Sequence, residues 1–596
     1  MDSTRLRKSL TTLIDAIPLM ALFGILLCLP AAIAPYYSAP AGIVCLLRSF
    51  AVVVALAVAC RRYKALRNVT AAILSLLLFV NMYCALQLHC VLSSSVVFLV
   101  LQTDAREAGE YLSEYLLTRA TFVSLAVTIL ITTLGLLADN VWRKKLGSRI
   151  EGITDKISTR MARAIMAAVG ALTALSLLNT FVPTFHALLF TAISCAAGIL
   201  TPIAIERIRI ARSARWIASV LLIVLSTYPY CLPIPLVSNL RDKKQNSLQG
   251  LTFAIADALD SEIDIDRLTD TNINATASTA NRADYQLVII IGESFNRMHS
   301  SLYGYRHDTN PRLRAEVDSG RLTVFADAHS PTQATGIAMR GMLSTHAWGD
   351  SLTMWEDYPL FPALLRKAGY SVALLDNQGT ATQSDAWQFH SSSFFSTPRM
   401  SHLCFNSRND SIFAYDHELT DNYLDRVSNS DVTIIHLMGQ HCPARLRYPE
   451  EYQRFGAKDY AYRTDLDNEM RETIAAYDNA TLYNDAVVSD IIDRYRGRRA
   501  VIIYLSDHGE PVYDGYKGYG RIENWNPPEY AEAVYHIPYM VWVSDLTRAE
   551  HPQLVTDIAA AAGSHINSMN LGHVVLDLMN VDTPWLRRDL SWKSTH

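Results

Sequence analysis

Seven long apolar runs crowd the first 240 residues of a 596-residue chain, at 17–35, 41–60, 69–90, 121–138, 164–182, 184–205 and 216–237. A helix needs about 20 apolar residues to cross a hydrocarbon core, so the spacing predicts seven crossings. Arg48 is the only formal charge within the runs. The first run follows Arg5, Arg7 and Lys8 as a signal peptide would. It is long, lacks a small-residue cleavage site and is followed by further spans, so an anchor is expected. The connections decide the orientation. The N-terminus and the segments 61–67, 139–163 and 206–215 together hold eighteen Lys and Arg, against Arg106 and Arg119 on the other side. By the positive-inside bias the N-terminus is cytoplasmic and residue 238 onward lies outside. Merging 164–205 into one span would instead put 206–215 outside. The loop 91–120 is mildly amphipathic and is open to two readings: a plain interfacial connection, or a surface that presents Glu107 to lipid headgroups.

The remainder reads differently. Residues 238–283 are rich in Asn, Asp, Ser and Thr and suit a linker with some helix near 250–268. From 284 on, short apolar runs at 285–291, 322–326, 371–375, 432–437, 500–505 and 538–543 alternate with helical patterns at 359–369, 412–427 and 464–496. That alternation predicts an α/β sheet covered on both faces. The net charge of −4 gives no basic field for nucleic acid, and nine cysteines without a CxxC pair give neither a zinc ribbon nor a disulfide framework.

Three strands end in chemistry-bearing residues: 285–291 in Gly292-Glu293-Ser294, 432–437 in Gly439-Gln440-His441, and 500–505 in Ser506-Asp507-His508-Gly509-Glu510. Ligands gather beyond the carboxyl ends of strands in open α/β sheets, and carboxylates with imidazoles are what zinc takes from a protein. Singly, G-E-S is a helix cap and D-H-G a turn; together they predict a metal site. A nucleophile is sought in Ala328–Arg340, where a hydroxyl would meet the positive end of a helix over 337–344. Thr332 and Thr335 compete for that role. Thr335 directly precedes Gly336 and the helix, whereas Thr332 follows Pro331 in what looks like a tight turn. The bland alternative is an N-cap threonine.

The segments I-I-I-G-E-S-F-N-R-M-H-S-S-L-Y-G-Y-R-H-D-T-N-P-R-L (289–313), S-P-T-Q-A-T (330–335), I-I-H-L-M-G-Q-H (434–441), Y-N-D (483–485) and Y-L-S-D-H-G-E (504–510) resemble those of the membrane-anchored phosphoethanolamine transferases of Gram-negative bacteria. The loop Q-T-D-A-R-E-A (102–108) is similar to that family's membrane-proximal element. The resemblance implies a polytopic α-helical membrane domain (1–237, with the periplasmic loop 91–120), the linker 238–283, and a periplasmic α/β domain of sulfatase/alkaline-phosphatase type over 284–596. It implies zinc held by Glu293, Thr335, Asp507 and His508, with Thr335 as the residue that becomes modified. His441 would meet the transferred phosphate or a second zinc, and Glu107 would contact substrate. The implied donor is phosphatidylethanolamine and the acceptor a glycolipid, with a monomeric enzyme in the bacterial inner membrane. Where the lipid A-modifying branch has cysteines, this chain has Pro331 and Gly341, and that branch's histidine past the D-H pair is missing from Tyr516–Asn524. The G-R-x-E run is closer to the branch acting on lipopolysaccharide core. The family's usual five spans compare with seven runs here. Phosphoglycerol transfer, or transfer to periplasmic glucan or protein, remains the rival chemistry. A transporter would place ionisable groups at membrane depth, which these spans do not.

Overall fold

The computed structural model describes residues 3–33, 49–61, 63–87, 105–145, 147–181, 246–260, 264–349, 354–379, 397–515, 518–521 and 528–592, with isolated positions between 43 and 100 and at 395. It divides into two compact units, Met1–Glu262 and Ile263–His596.

In the first unit, Leu6–Cys28, Lys64–Gln87 and Arg119–Lys145 are long and apolar enough to cross a membrane. A hydrocarbon interior offers no partner for a free peptide group, so sequences of this kind close their hydrogen bonds within a helix. Phe50–Cys60 forms a shorter apolar helix and Thr159–Phe181 covers most of the run at 164–182. The runs at 184–205 and 216–237 lie outside the described residues. Leu19, Phe23 and Leu26 of the first helix pack with Val52, Val53, Leu74 and Leu78. Asp139, fully buried, accepts from Arg61 Nη1 and Arg67 Nη1 at 2.7 Å and from Arg143 Nε at 2.9 Å, and Arg61 also pairs with Asp15. These charges come from the middle of the first helix, just before the apolar run at 17–35, from the 61–67 connection and from the start of 139–163, segments that the Lys/Arg bias assigns to one side. The helix Ala105–Tyr115 falls within the amphipathic loop and carries Glu107.

The segment expected as a linker holds two helices, Ser247–Asp260 in the first unit and Ile265–Asn274 in the second.

The second unit is built on a seven-stranded mixed sheet of order β2-β8-β7-β1-β6-β4-β5. Its strands are β1 (Gln286–Gly292), β2 (Leu322–Val324), β4 (Val372–Asp376), β5 (Ser407–Arg408), β6 (Val432–His436), β7 (Ala500–Ser506) and β8 (Tyr539–Val543); β3 (Asp327–His329) and β9 (His565–Asn567) make a separate pair. All six strands read from the sequence are present. The three unforeseen strands, β3, β5 and β9, are two or three residues long and too short to show a period. The apolar run of β1 is continuous because both of its faces are buried. Leu287, Ile289 and Ile291 join a core with Met339, Leu364 and Val575, while Val288 and Ile290 face Leu424, Val487 and Ile491. Helices therefore cover the sheet on both sides: Thr335–Leu343, Phe361–Lys367 and Leu571–Leu578 on one, Asp416–Val427 and Asn468–Tyr495 on the other.

Candidate active site

Strand β1 lies between β6 and β7, parallel to both, with Ile291 level with His436 and Leu505, and Gly292 level with Ser506. That register delivers Glu293, Met438–His441 and Asp507–His508 to one edge. The ladder continues past the strands: Asp507 N donates to Gly292 O, and Gln440 N to Glu293 O, both at 3.0 Å. Gly439 has φ +49°, and a Cβ there would lie 2.8 Å from Glu293 O and 2.9 Å from Glu293 N. Only glycine lets the two loops approach so closely. Ser294 also has positive φ, 59°. Its N–H donates to Asp507 Oδ1 at 3.0 Å and its carbonyl accepts from Tyr477 Oη at 2.5 Å. Strain of this kind persists where the surroundings over-determine it, and here it turns Glu293 into the pocket.

Glu293, Asp507 and His508 are completely buried, and a ligand atom from each lies within 4.8 Å of the others. His508 Nε2 is 3.0 Å from Asp507 Oδ2 and 3.5 Å from Glu293 Oε1. His508 Nδ1 faces Gly509 O at 3.0 Å, which sets the proton there and leaves Nε2 as the lone pair toward the pocket. Asp507 Oδ1 accepts from two backbone amides, but Oδ2 is buried with no hydrogen-bond partner among the described residues. A buried carboxylate oxygen without a donor, beside a second carboxylate and an imidazole lone pair, is a donor set suited to zinc. The residues fit that ion.

Thr335 opens the helix Thr335–Leu343 and brings its hydroxyl to the same point, donating to Glu293 Oε2 at 3.0 Å and lying 3.2 Å from His508 Nε2. Thr332 is turned elsewhere: its hydroxyl accepts the Ala334 amide at 3.2 Å. His441 follows the Gly439 turn with Nδ1 2.8 Å from Cys442 O. Burial opposes ionisation of Glu293, but His508, then His441 and Arg521, and the Ser294 hydroxyl outweigh it and hold the carboxyl below its usual range. His508 is displaced upward: burial and Arg521 oppose its protonation, and Asp507 and Glu293 overcome them.

Two side chains enter the pocket without having been singled out from the sequence. Gln378, just past β4, donates to Glu293 Oε2 at 3.1 Å and to Leu437 O at 3.0 Å. Arg521, thirteen residues beyond His508, contacts the His508 ring while pairing with Glu510 at 3.0 Å and donating to Gln333 O at 2.7 Å. It stands in the stretch where the related branch's histidine is missing. The Gly-Arg pair was visible, but not its direction. A metal on His508 Nε2 requires Arg521 to withdraw toward Glu510 and Gln333, partners it already holds. Glu107 belongs to the first unit and is placed only as part of its helix.

The Sulfatase family profile matches residues 286–581. The phosphoethanolamine transferase EptC of Escherichia coli is 31% identical over 276 residues, covering 45% of this chain and 46% of that protein, so the chain spans about half the length of this relative. EptC's C-terminal periplasmic domain, solved as a complex with zinc, aligns with a TM-score of 0.47 at 26% identity over 54% of this chain and 90% of that one. The phosphoethanolamine transferase CptA of Salmonella typhimurium is 27% identical over 525 residues, 86% of this chain and 80% of that protein. The integral membrane lipooligosaccharide phosphoethanolamine transferase A of Neisseria meningitidis aligns over 99% of this chain and 98% of its own with a TM-score of 0.54 at 17% identity, which establishes the shared fold of apolar helices followed by an α/β domain. On its motifs, its fold and these relatives, the chain belongs to the phosphoethanolamine transferase family with a sulfatase domain.

Proposed function

We propose that the protein transfers phosphoethanolamine from phosphatidylethanolamine to an envelope glycolipid, lipopolysaccharide core or lipid A, at the periplasmic face of a bacterial inner membrane. In this reading residues 1–237 form the multi-pass membrane domain, 238–283 the linker and 284–596 the catalytic domain of a monomer. The observation that carries the proposal is the Thr335 hydroxyl, in contact with both Glu293 and His508 at the first turn of a helix.

Thr335 Oγ1 is the nucleophile on the donor's phosphorus, and diacylglycerol leaves. Glu293 Oε2 accepts a hydrogen bond from the Thr335 hydroxyl and orients it. The proton that the hydroxyl loses ends on the departing diacylglycerol oxygen, and the helix N-terminus favours negative charge on the threonine oxygen and on the phosphorylated product. The acceptor then attacks the phospho-threonine and restores the hydroxyl. Two half-reactions at one residue let a lipid donor depart before a glycolipid acceptor arrives. Glu293, Asp507, His508 and Thr335 would hold zinc, which when bound supplies the positive charge that lowers the hydroxyl's pKa and neutralises phosphoryl oxygens. His441 is assigned to those oxygens, and Glu107 to the lipid headgroup, by their motifs.

Incubation with phosphatidylethanolamine should add the phosphoethanolamine mass to Thr335, with diacylglycerol released. Thr335→Ala should lose the adduct and at least about three orders of magnitude in turnover. Thr335→Ser should keep part of both, and Thr332→Ala should keep the adduct. An adduct on Thr332, or one formed only from phosphatidylglycerol, would overturn the assignment.

A further inference from the structure

A second cluster of metal-binding side chains forms where the β3–β9 pair meets the end of the helix Pro528–Tyr535, and strand geometry gathers it. Asp327 and His329 are two apart on β3 and share a face. His565 is the cross-strand partner of Asp327, and His536 bridges His329 from the other side. His329 Nε2 lies 2.8 Å from Asp327 Oδ1, His565 Nδ1 3.1 Å from Oδ2, and His536 Nε2 3.5 Å from Oδ1. Ligand atoms of Asp327, His329 and His536 all lie within 4.8 Å of one another.

His536 shows that the cluster wants a cation. It is 8% exposed, and its Nδ1 lies 2.7 Å from Glu532 Oε1. A carboxylate can only accept, so Nδ1 carries a proton and Nε2 of the neutral ring is a bare lone pair. That nitrogen is buried, has no hydrogen-bond partner among the described residues, and faces a carboxylate oxygen. Asp327 is half-exposed, but the His536 nitrogen is shielded from water, and a lone pair so placed against a carboxylate oxygen is repelled unless positive charge lies between them. A carboxylate behind one ring nitrogen is also how metal-bound histidines are commonly oriented.

We propose that Asp327, His329 and His536 bind a divalent transition metal of the zinc class at a site separate from the Glu293 pocket, with Glu532 and His565 as the outer groups that orient the ligands. Imidazole and carboxylate together suit that class. Bonds of about 2.0–2.2 Å bring such ligand atoms to about 3.5 Å apart, a closure within the reach of side-chain rotation. The ion would clamp two segments that frame the proposed chemistry. His329 lies six residues before Thr335, and Ser330 N donates to Tyr535 O at 2.8 Å; Gly509, beside His508, donates to Val534 O at 2.7 Å.

The test is zinc titration of the full-length protein in detergent after chelator stripping, read by calorimetry and elemental analysis. An Asp507→Asn/His508→Gln variant, lacking two donors of the first pocket, should still retain a single equivalent of zinc. Adding His329→Ala, at a ring 35% exposed and outside the core, should abolish that retention. Adding Glu532→Gln instead should weaken it about 10- to 100-fold. No zinc in the double variant, or zinc that survives both His329→Ala and His536→Ala, would overturn the second site, including the case in which a proton supplies the charge. Neither result depends on turnover, so the proposal stands or falls apart from the transferase reading.

Discussion

His299 lies in the 289–313 run that carries much of the family resemblance, yet it touches neither cluster. Its Nδ1 is 2.6 Å from Asp478 and its Nε2 3.2 Å from Asp514. Burial works against its charge, but Asp514 and Asp478 prevail and push its pKa up to about 10. An imidazole raised in the fold above its unfolded value of about 6.5 contributes stability fully below that pH, and loses it as pH rises through the folded pKa. His299→Gln should therefore lower unfolding free energy by about 3 kcal/mol at neutral pH, and the deficit should shrink as pH approaches about 10. Urea melts of parent and variant across that window check this; a pH-independent difference would refute it. The same motif stretch thus mixes chemistry with scaffolding. Asp485 of the Y-N-D segment likewise accepts the amides of Arg312 and Leu313 at 3.0 and 2.9 Å, tying down the start of the helix Pro311–Asp318. A motif in one sequence cannot separate these roles, because both depend on which residues meet across long separations.

At the scale of elements, what was legible was the end of each strand. Glu293, His441, Asp507 and His508 follow apolar runs whose length and burial mark them as sheet, and the carboxyl edge of such a sheet is where ligands collect. Gln378 follows β4 much as Glu293 follows β1, but a neutral amide is not a residue type that singles out a metal or acid–base site, and Arg521 was illegible because a loop, not a strand, aims it. The β3–β9 cluster was illegible for another reason: three-residue strands leave no alternation, so nothing in the sequence brings residues 327, 536 and 565 together. The Gly439 turn carries a prediction of its own. Gly439→Ala places a Cβ against the Glu293 backbone, which cannot rotate away, in a left-handed conformation. It should cost about 1–3 kcal/mol and lower kcat more than about tenfold by displacing Glu293 and His441. Thermal melts and steady-state rates measure both; if neither changes, the close approach is not required.

For the whole molecule, the Asp139 network is the most exacting feature of the first unit. One buried carboxylate is shared by Arg61, Arg67 and Arg143, and its loss takes the carboxylate away from Arg67, the most deeply buried of the three, while Arg61 keeps Asp15. Asp139→Ala should cost about 3–5 kcal/mol, seen as a lower melting temperature in detergent. An unchanged melt would mean that water reaches the cluster. The Lys/Arg bias makes a companion prediction for intact spheroplasts: an external thiol reagent should label Glu110→Cys and miss Lys145→Cys. Ile210→Cys reports on the two runs outside the described residues; labelling there would remove one crossing from the seven.

The central position of β1 also has a consequence for the chain during its synthesis. Both neighbours of β1 come late: β6 begins at Val432 and β7 at Ala500, and Ser294 meets Asp507 across 213 residues. A nascent polypeptide that stops short of β7 leaves one edge of β1 unpaired, a template for misassembly, and it has neither Asp507 nor His508. Contacts of such long range close slowly. A half-made chain thus holds only one of the three buried donors of the Glu293 pocket, and the pocket is completed in one late event, when β7 docks.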